Sequence, residues 1–274
     1  MALTDPRSHP LVILGAGYTG RFLYPLARAQ GWDTLATSRA PAAHLLPIHS
    51  SHRIEFDLLR KETWGNIPDP AHLIWCFPAI PQEAVTHFLE SRLEAGGRII
   101  LLGSTSAYGP DPDRVVHEGT PPRLTIPRVK SEEYLRARHG AIILRLAGLY
   151  GPGRHVLDWM RKGKVKYTDR YVNLIHIKDV AGICLIALEK AKKGEVYIVS
   201  DGNPRRWSEI FRTASKRWGV ILPPLSKAMD SGKQLSNHKI LVGLKYRFRF
   251  PDLYQALDDI EGQRKDSWLL ASPK

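Results

Sequence analysis

Three glycines carry the clearest chemical signal in this chain. In LVILGAGYTGRF, Gly15, Gly17 and Gly20 follow four apolar residues and lead into a helical pattern. That is the strand–turn–helix context in which G-x-G-x-x-G cradles a pyrophosphate. The first glycine permits a tight turn. The second leaves no side chain in the path of the phosphates, and the third lets the helix pack close to the strand. The first helical residues, Tyr18 and Thr19, add the N–H groups and partial positive charge of a helix start. The pattern predicts a bound dinucleotide. Roughly 20 residues further on, an acid would select the ribose 2′-hydroxyl of NAD. This chain has ATSRA there, with Ser38 and Arg39 and no carboxylate. A guanidinium beside a hydroxyl suits a 2′-phosphate through bidentate, charge-assisted bonds. NADP is therefore the expected cofactor, with NAD as the alternative.

The elements that must position these residues alternate. PLVILGA, WDTLATS, HRIEFDL, HLIWCFPA and RIILLGS read as short buried strands. Helices are predicted over 18–30, with Pro25 inside, and over 81–95, closed by Gly96 and Gly97. This rhythm implies right-handed crossovers and a doubly wound parallel sheet, the Rossmann arrangement, with a smaller α/β C-terminal region. The stretch 104–125 is rich in Pro, Asp and Gly and reads as a long loop of functional importance. A helix over 127–138 and the strand AIILRLAG follow. Beyond Tyr150 come short strands (YVNLIHI, GEVYIVS), helices near 178–191 and 207–217, and a closing helix in FPDLYQALDDIEG. The tail GQRKDSWLLASPK reads as frayed or partner-dependent. Residues 1–150 form the expected dinucleotide-binding domain, its core drawing also on parts of 170–200. Residues 151–274 form the main substrate-binding region. Phe77 and Pro78, in CFPAIPQ at the end of the fourth strand, should line the cofactor.

The 274 residues suffice for a sizeable core without disulfides or metals. Cys76 and Cys184 lie in apolar runs and read as free thiols. The opening residues are polar and no apolar run reaches the ~20 residues of a membrane helix, which points to the cytoplasm. The formal charge of +13 is spread along the chain without a nucleic-acid motif. An anionic small molecule is the expected partner, with neither nucleic acid nor membrane. His44, His49 and His52 lack the accompanying ligands of a metal site. No Gly-x-Ser-x-Gly elbow or P-loop lysine is present.

Six blocks in order, GAGYTG, FDL, LLGSTSAYG, LRLAGLYGPG, NLIHIKDVAGICLIAL and GEVYIVSDGNP, resemble the extended short-chain dehydrogenase/reductases, the group of nucleotide-sugar epimerases and dehydratases. The resemblance implies that Asp57, with Leu58 beside it, lies near the adenine. It also implies that Ser104 orients a substrate oxygen and that Lys130 holds the nicotinamide ribose. In that family a tyrosine four residues before the lysine transfers the proton. Here Ile126 stands at that place, and none of the ten tyrosines has lysine four residues on. The chain thus resembles the atypical members, which keep the cofactor fold without the standard tyrosine.

Tyr108, close to Ser104 on the loop after the fifth strand, is the first candidate to replace it. Tyr134 and His155 are the others. His176, in an apolar strand, reads as structural. Arg145, also in an apolar strand, needs a partner if buried. Arg154, after Gly-Pro-Gly, could hold a phosphate or carboxylate. The expected function is an NADP-dependent oxidoreductase or epimerase acting on a small anionic substrate such as a nucleotide sugar. The alternative is a non-catalytic NADP-binding sensor or scaffold. The resemblance also makes a homodimer an option.

Overall fold

Leu11–Leu14, His72–Trp75 and Ile142–Leu146 are buried at every position. Strands hidden on both faces need helices on both faces, and a parallel sheet with crossovers supplies them. The computed structural model describes residues 7–92, 97–227 and 231–271. The chain begins β1 (Leu11–Leu14), α1 (Tyr18–Ala29), β2 (Thr34–Ser38), α2 (Pro41–His44), β3 (Arg53–Glu55), β4 (His72–Trp75), α3 (Gln82–Arg92) and β5 (Ile99–Ser104). It continues β6 (Asp111–Val116), α4 (Pro127–His139), β7 (Ile142–Leu146), β8 (Gly148–Tyr150) and α5 (Val156–Arg161). The remainder is β9 (Tyr171–Val172), β10 (Leu174–His176), α6 (Ile177–Lys190), β11 (Val196–Val199), β12 (Arg205–Arg206), α7 (Trp207–Trp218), β13 (Lys233–Leu235) and α8 (Leu253–Ala271).

Seven strands form one parallel sheet in the order β11-β7-β5-β4-β1-β2-β3. From β1 the chain winds outward to β3 and then returns to β4 on the other side. The crevice at the carboxyl ends of β1 and β4 is the switch point where open α/β sheets bind ligands. Alternate residues of each strand feed two cores. Leu11, Ile13, Ile74, Ile100 and Leu144 meet Leu23, Ala27, Val180 and Cys184 on one face. Val12, Leu14, Trp75, Leu101 and Ile143 meet Phe88, Leu89 and Leu135 on the other. A third cluster joins Tyr150, Val156, Leu157, Phe211 and Leu257 around α5, α7 and α8.

One local reading changes. The stretch 104–125 contains a 3₁₀ turn over Thr105–Ala107 and the strand β6, which pairs in parallel with β13. A strand recruited by a partner more than a hundred residues away leaves no local periodicity to read. Pro25 does not break α1, because it lies on the exposed side, where the carbonyl it deprives of a donor faces water. The last helix, α8, runs to Ala271. Residues 93–96, which include the expected closing Gly96, and 272–274 lie outside the described residues. Among the described residues no helix is long and apolar enough to cross a membrane, and no His/Cys/Asp/Glu group is placed to hold a metal.

The start of α6 ties the C-terminal segment to the sheet. Asp179 is fully buried and accepts from the Tyr246 hydroxyl at 2.9 Å and from the backbone N–H groups of Arg249 and Phe250 at 2.8 and 3.1 Å. His176 caps α6, its Nδ1 accepting the Lys178 N–H at 3.3 Å, and its ring stacks on Phe250 at 3.7 Å. Nδ1 can accept only when unprotonated. Burial, reinforced by Lys178 and Arg249, pulls the imidazole from 6.5 down to about 4. The unfolded chain therefore binds this proton first. The stabilisation is complete above pH ~6.5 and is lost as pH falls through ~4. Over that window the parent protein loses about 1.4 kcal/mol per pH unit relative to His176→Gln. Urea midpoints at pH 7, 6 and 5 check this; parallel pH profiles for the two proteins would refute it.

Candidate functional site

The three glycines do three different things. Gly15 has φ +78°, and a Cβ there would stand 2.6 Å from Cδ1 of Phe77. Its N–H donates to Thr37 Oγ1 at 2.9 Å, and the Ala16 N–H donates to the Thr37 carbonyl at 2.9 Å. The turn is thereby fixed to the end of β2. A Cβ on Gly17 would meet nothing within 4 Å. A Cβ on Gly20 would press on Ala16 at 3.0 Å and Ile13 at 3.2 Å, where α1 lies close to β1. The loop thus has one strained corner, one open position and one tight packing point. Helix α1 starts without a side-chain cap and with no acid in its first turn, so its first N–H groups face the open side of the loop.

A cavity of about 560 Å³ opens beside this loop. Gly15, Gly17, Thr37, Ser38, Arg39, Asp57, Leu58, Cys76 and Phe77 line it, together with Arg21, His44, Leu45 and Phe56. Its wall includes the exposed cations Arg21 and Arg39, and His44 Nδ1 lies 2.8 Å from Ser38 Oγ. Asp57 is occupied locally, its Oδ1 accepting the Leu59 N–H at 3.0 Å. A second cavity of about 240 Å³ shares Gly15, Gly17 and Cys76 with the first. Tyr18, Thr19, Leu102, Leu146, Leu149 and Arg154 complete its wall. Burial pushes the Tyr18 phenol up to about 12, and its hydroxyl donates to the Pro152 carbonyl at 3.0 Å. Burial also lifts the Cys76 thiol to about 12, so it is no nucleophile at neutral pH.

Of the residues singled out in the sequence, Gly15, Gly17, Tyr18, Thr19, Ser38, Arg39, Asp57, Leu58 and Phe77 come together around these two cavities. Pro78 does not: it is exposed, and its carbonyl turns back to accept the Ile80 N–H at 2.8 Å. Gly20 serves packing rather than lining. Ser104, Tyr108 and Lys130 line neither cavity. Ser104 ends β5 beside Leu146, and its Oγ accepts the Ser106 N–H at 3.1 Å. Lys130 is exposed in the second turn of α4. Tyr108 is 1% exposed, and its hydroxyl accepts from Arg145 Nη1 at 2.7 Å. The Arg145 guanidinium also lies 4.9 Å from the Tyr108 ring and pairs with Glu133. These are the partners a charge inside an apolar strand requires. Burial raises the Tyr108 phenol, which keeps it neutral. Tyr134 is exposed on α4, and buried His155 caps α5 through its Nδ1.

Several contributors were not read from the sequence. Arg21 lies one helical turn beyond Gly17, a spacing that could have signalled it. Thr37 is buried next to buried Ala36 in β2, so strand alternation gives no signal for it. Lys233 could not have been found: its Nζ donates to the carbonyls of Thr105 and Tyr108 at 2.9 and 2.5 Å, bracing the turn after Ser104 from the far end of the chain.

No protein-family model matches the chain. The Escherichia coli protein YeeZ is 29% identical over 269 residues, spanning 88% of this chain and 96% of its own. Among solved structures, a short-chain dehydrogenase/reductase superfamily protein from Agrobacterium tumefaciens with bound NAD superposes with a TM-score of 0.77 at 13% identity, covering 95% of this chain and 98% of that one. A nucleoside-diphosphate-sugar epimerase from Pseudomonas aeruginosa gives 0.75 at 19% identity over 95% and 98%.

Proposed function

We propose that this chain, which has the fold of the short-chain dehydrogenase/reductases, is an NADP-binding member of their atypical extended branch and acts as an oxidoreductase or epimerase on a small anionic substrate such as a nucleotide sugar. One observation carries the cofactor reading. The cavity beside the glycine loop is lined by Arg21, Ser38 and Arg39, with no carboxylate at the end of β2. The open position at Gly17 supports it, since a Cβ there would meet only empty space, where phosphates would lie. Gly15, Gly17 and the start of α1 hold the diphosphate in this reading. Ser38, Arg39 and Arg21 hold the 2′-phosphate, and Phe56, Asp57 and Leu58 surround the adenine. When bound, the nicotinamide ring supplies hydride transfer. Ser104, at the end of β5, orients the substrate oxygen, and residues from 151 onward shape the substrate pocket. With Tyr108 committed to Arg145, the proton passes through a bound water.

That same commitment of Tyr108, together with Ile126 at the usual tyrosine position, favours the second reading, a sensor that binds NADP without turnover. Calorimetry and turnover separate the two. Arg39→Ala lowers NADP affinity about 10–100-fold, the worth of a charge-assisted contact, and leaves NAD affinity within about twofold. Equal losses for both cofactors would overturn the 2′-phosphate assignment. NADPH oxidation with a panel of carbonyl compounds and nucleotide sugars, abolished by Ser104→Ala, supports the enzyme. Tight NADPH binding without turnover on the whole panel supports the sensor.

A further inference from the structure

We propose that Arg154 clamps the diphosphate bridge of the dinucleotide, so that the second half of the chain closes the cleft over the glycine loop. The inference rests on the NADP reading above and adds a binding residue outside the nucleotide-binding half. The local backbone is built to present this side chain. Gly151 and Arg154 exchange hydrogen bonds, N–H to carbonyl, at 3.1 and 2.9 Å, closing a four-residue hairpin. Gly151 and Gly153 take φ of +141° and +78°, values that side-chain-bearing residues rarely adopt.

The hairpin is tied to the start of α1. The Tyr18 hydroxyl donates to the Pro152 carbonyl, and the Arg154 guanidinium lies 4.3 Å from the centroid of the Tyr18 ring. A guanidinium stacked on a ring is held in one plane and still offers the N–H groups along its edge. Arg154 lines the second cavity with Gly15, Gly17 and Thr19 and is the one charged residue among the described residues of that wall. Three leucines complete the same wall, and Arg154 is exposed to solvent there, where an incoming anion can reach it. A cation that lines the same cavity as the open glycine, in a compartment that shares Gly15, Gly17 and Cys76 with the cavity of Arg39, has the chemistry to take phosphate oxygens in bidentate fashion.

The test uses two probes on the full-length protein. NADP carries both the 2′-phosphate and the diphosphate, whereas adenosine 2′-monophosphate carries only the former. By calorimetry, Arg154→Ala weakens NADP about 10–100-fold and leaves adenosine 2′-monophosphate within about twofold. Arg154→Lys, which keeps the charge and loses the planar fork, falls between parent and alanine variant. Unchanged NADP affinity in Arg154→Ala would overturn the clamp while leaving the NADP reading intact. Equal loss of both probes would overturn it too, by showing that the hairpin merely supports the fold of the cleft. A parent protein that binds neither probe would remove the clamp and the NADP reading together.

Discussion

Gly17→Ala is expected to lower NADP affinity about 100-fold, or about 2.7 kcal/mol, while the melting temperature stays within ~4 °C of the parent. The separation follows from what surrounds each glycine. A methyl group on Gly17 meets no protein atom within 4 Å, so the fold loses little. The same methyl projects into the open space where a phosphate would approach the N–H groups of the loop, and hydrogen bonds to a charged group are worth about 1.5–3 kcal/mol each. Gly15→Ala behaves in the opposite way. It forces an alanine to φ +78° and drives its Cβ to 2.6 Å from the Phe77 ring, which should cost about 2–4 kcal/mol of stability before any ligand is added. Urea denaturation and calorimetry on the two variants give the comparison. If Gly17→Ala binds NADP as the parent does, the phosphates do not lie on this loop.

Asp179→Ala should destabilise the protein by about 3–5 kcal/mol, the largest single-residue stability effect expected outside the hydrophobic cores. Burial works against this carboxylate and raises its pKa. Its three donors offset that cost: the Tyr246 hydroxyl and the N–H groups of Arg249 and Phe250. Removing the acceptor leaves these part-buried donors without Asp179 and releases the segment that stacks Phe250 on His176. Asp179→Asn keeps the shape but turns an amide N–H₂ towards at least one donor, so it should recover only part of the loss. Urea midpoints for the two variants check this, as does proteolysis within 246–250. A loss below about 1 kcal/mol for Asp179→Ala would mean that the latch contributes little.

Much of the cofactor cleft was legible because its parts are close in sequence. Gly15, Gly17 and Thr19 share one strand–turn–helix unit, and Ser38 and Arg39 end the next strand. The spacing of a crossover brings these two ends side by side without help from the rest of the chain. The third glycine shows the same economy: Gly20 was expected to pack the helix on the strand, and its neighbours Ala16 and Ile13 leave room for nothing larger. Loop content misled in the stretch that became β6, where pairing with β13 overrode it.

What the amino-acid sequence alone determined, then, was the alternating α/β order, the parallel sheet and the glycine loop, since each depends on periodicity and turn chemistry within some thirty residues. Tertiary structure alone decided the fate of Tyr108, turned from a candidate acid into the partner of Arg145, and the bracing of the turn after Ser104 by Lys233. It also decided the stacking of Arg154 on Tyr18. Each of these joins residues more than thirty positions apart. A side chain's neighbours at such separation are set by how the layers pack, which local pattern does not encode.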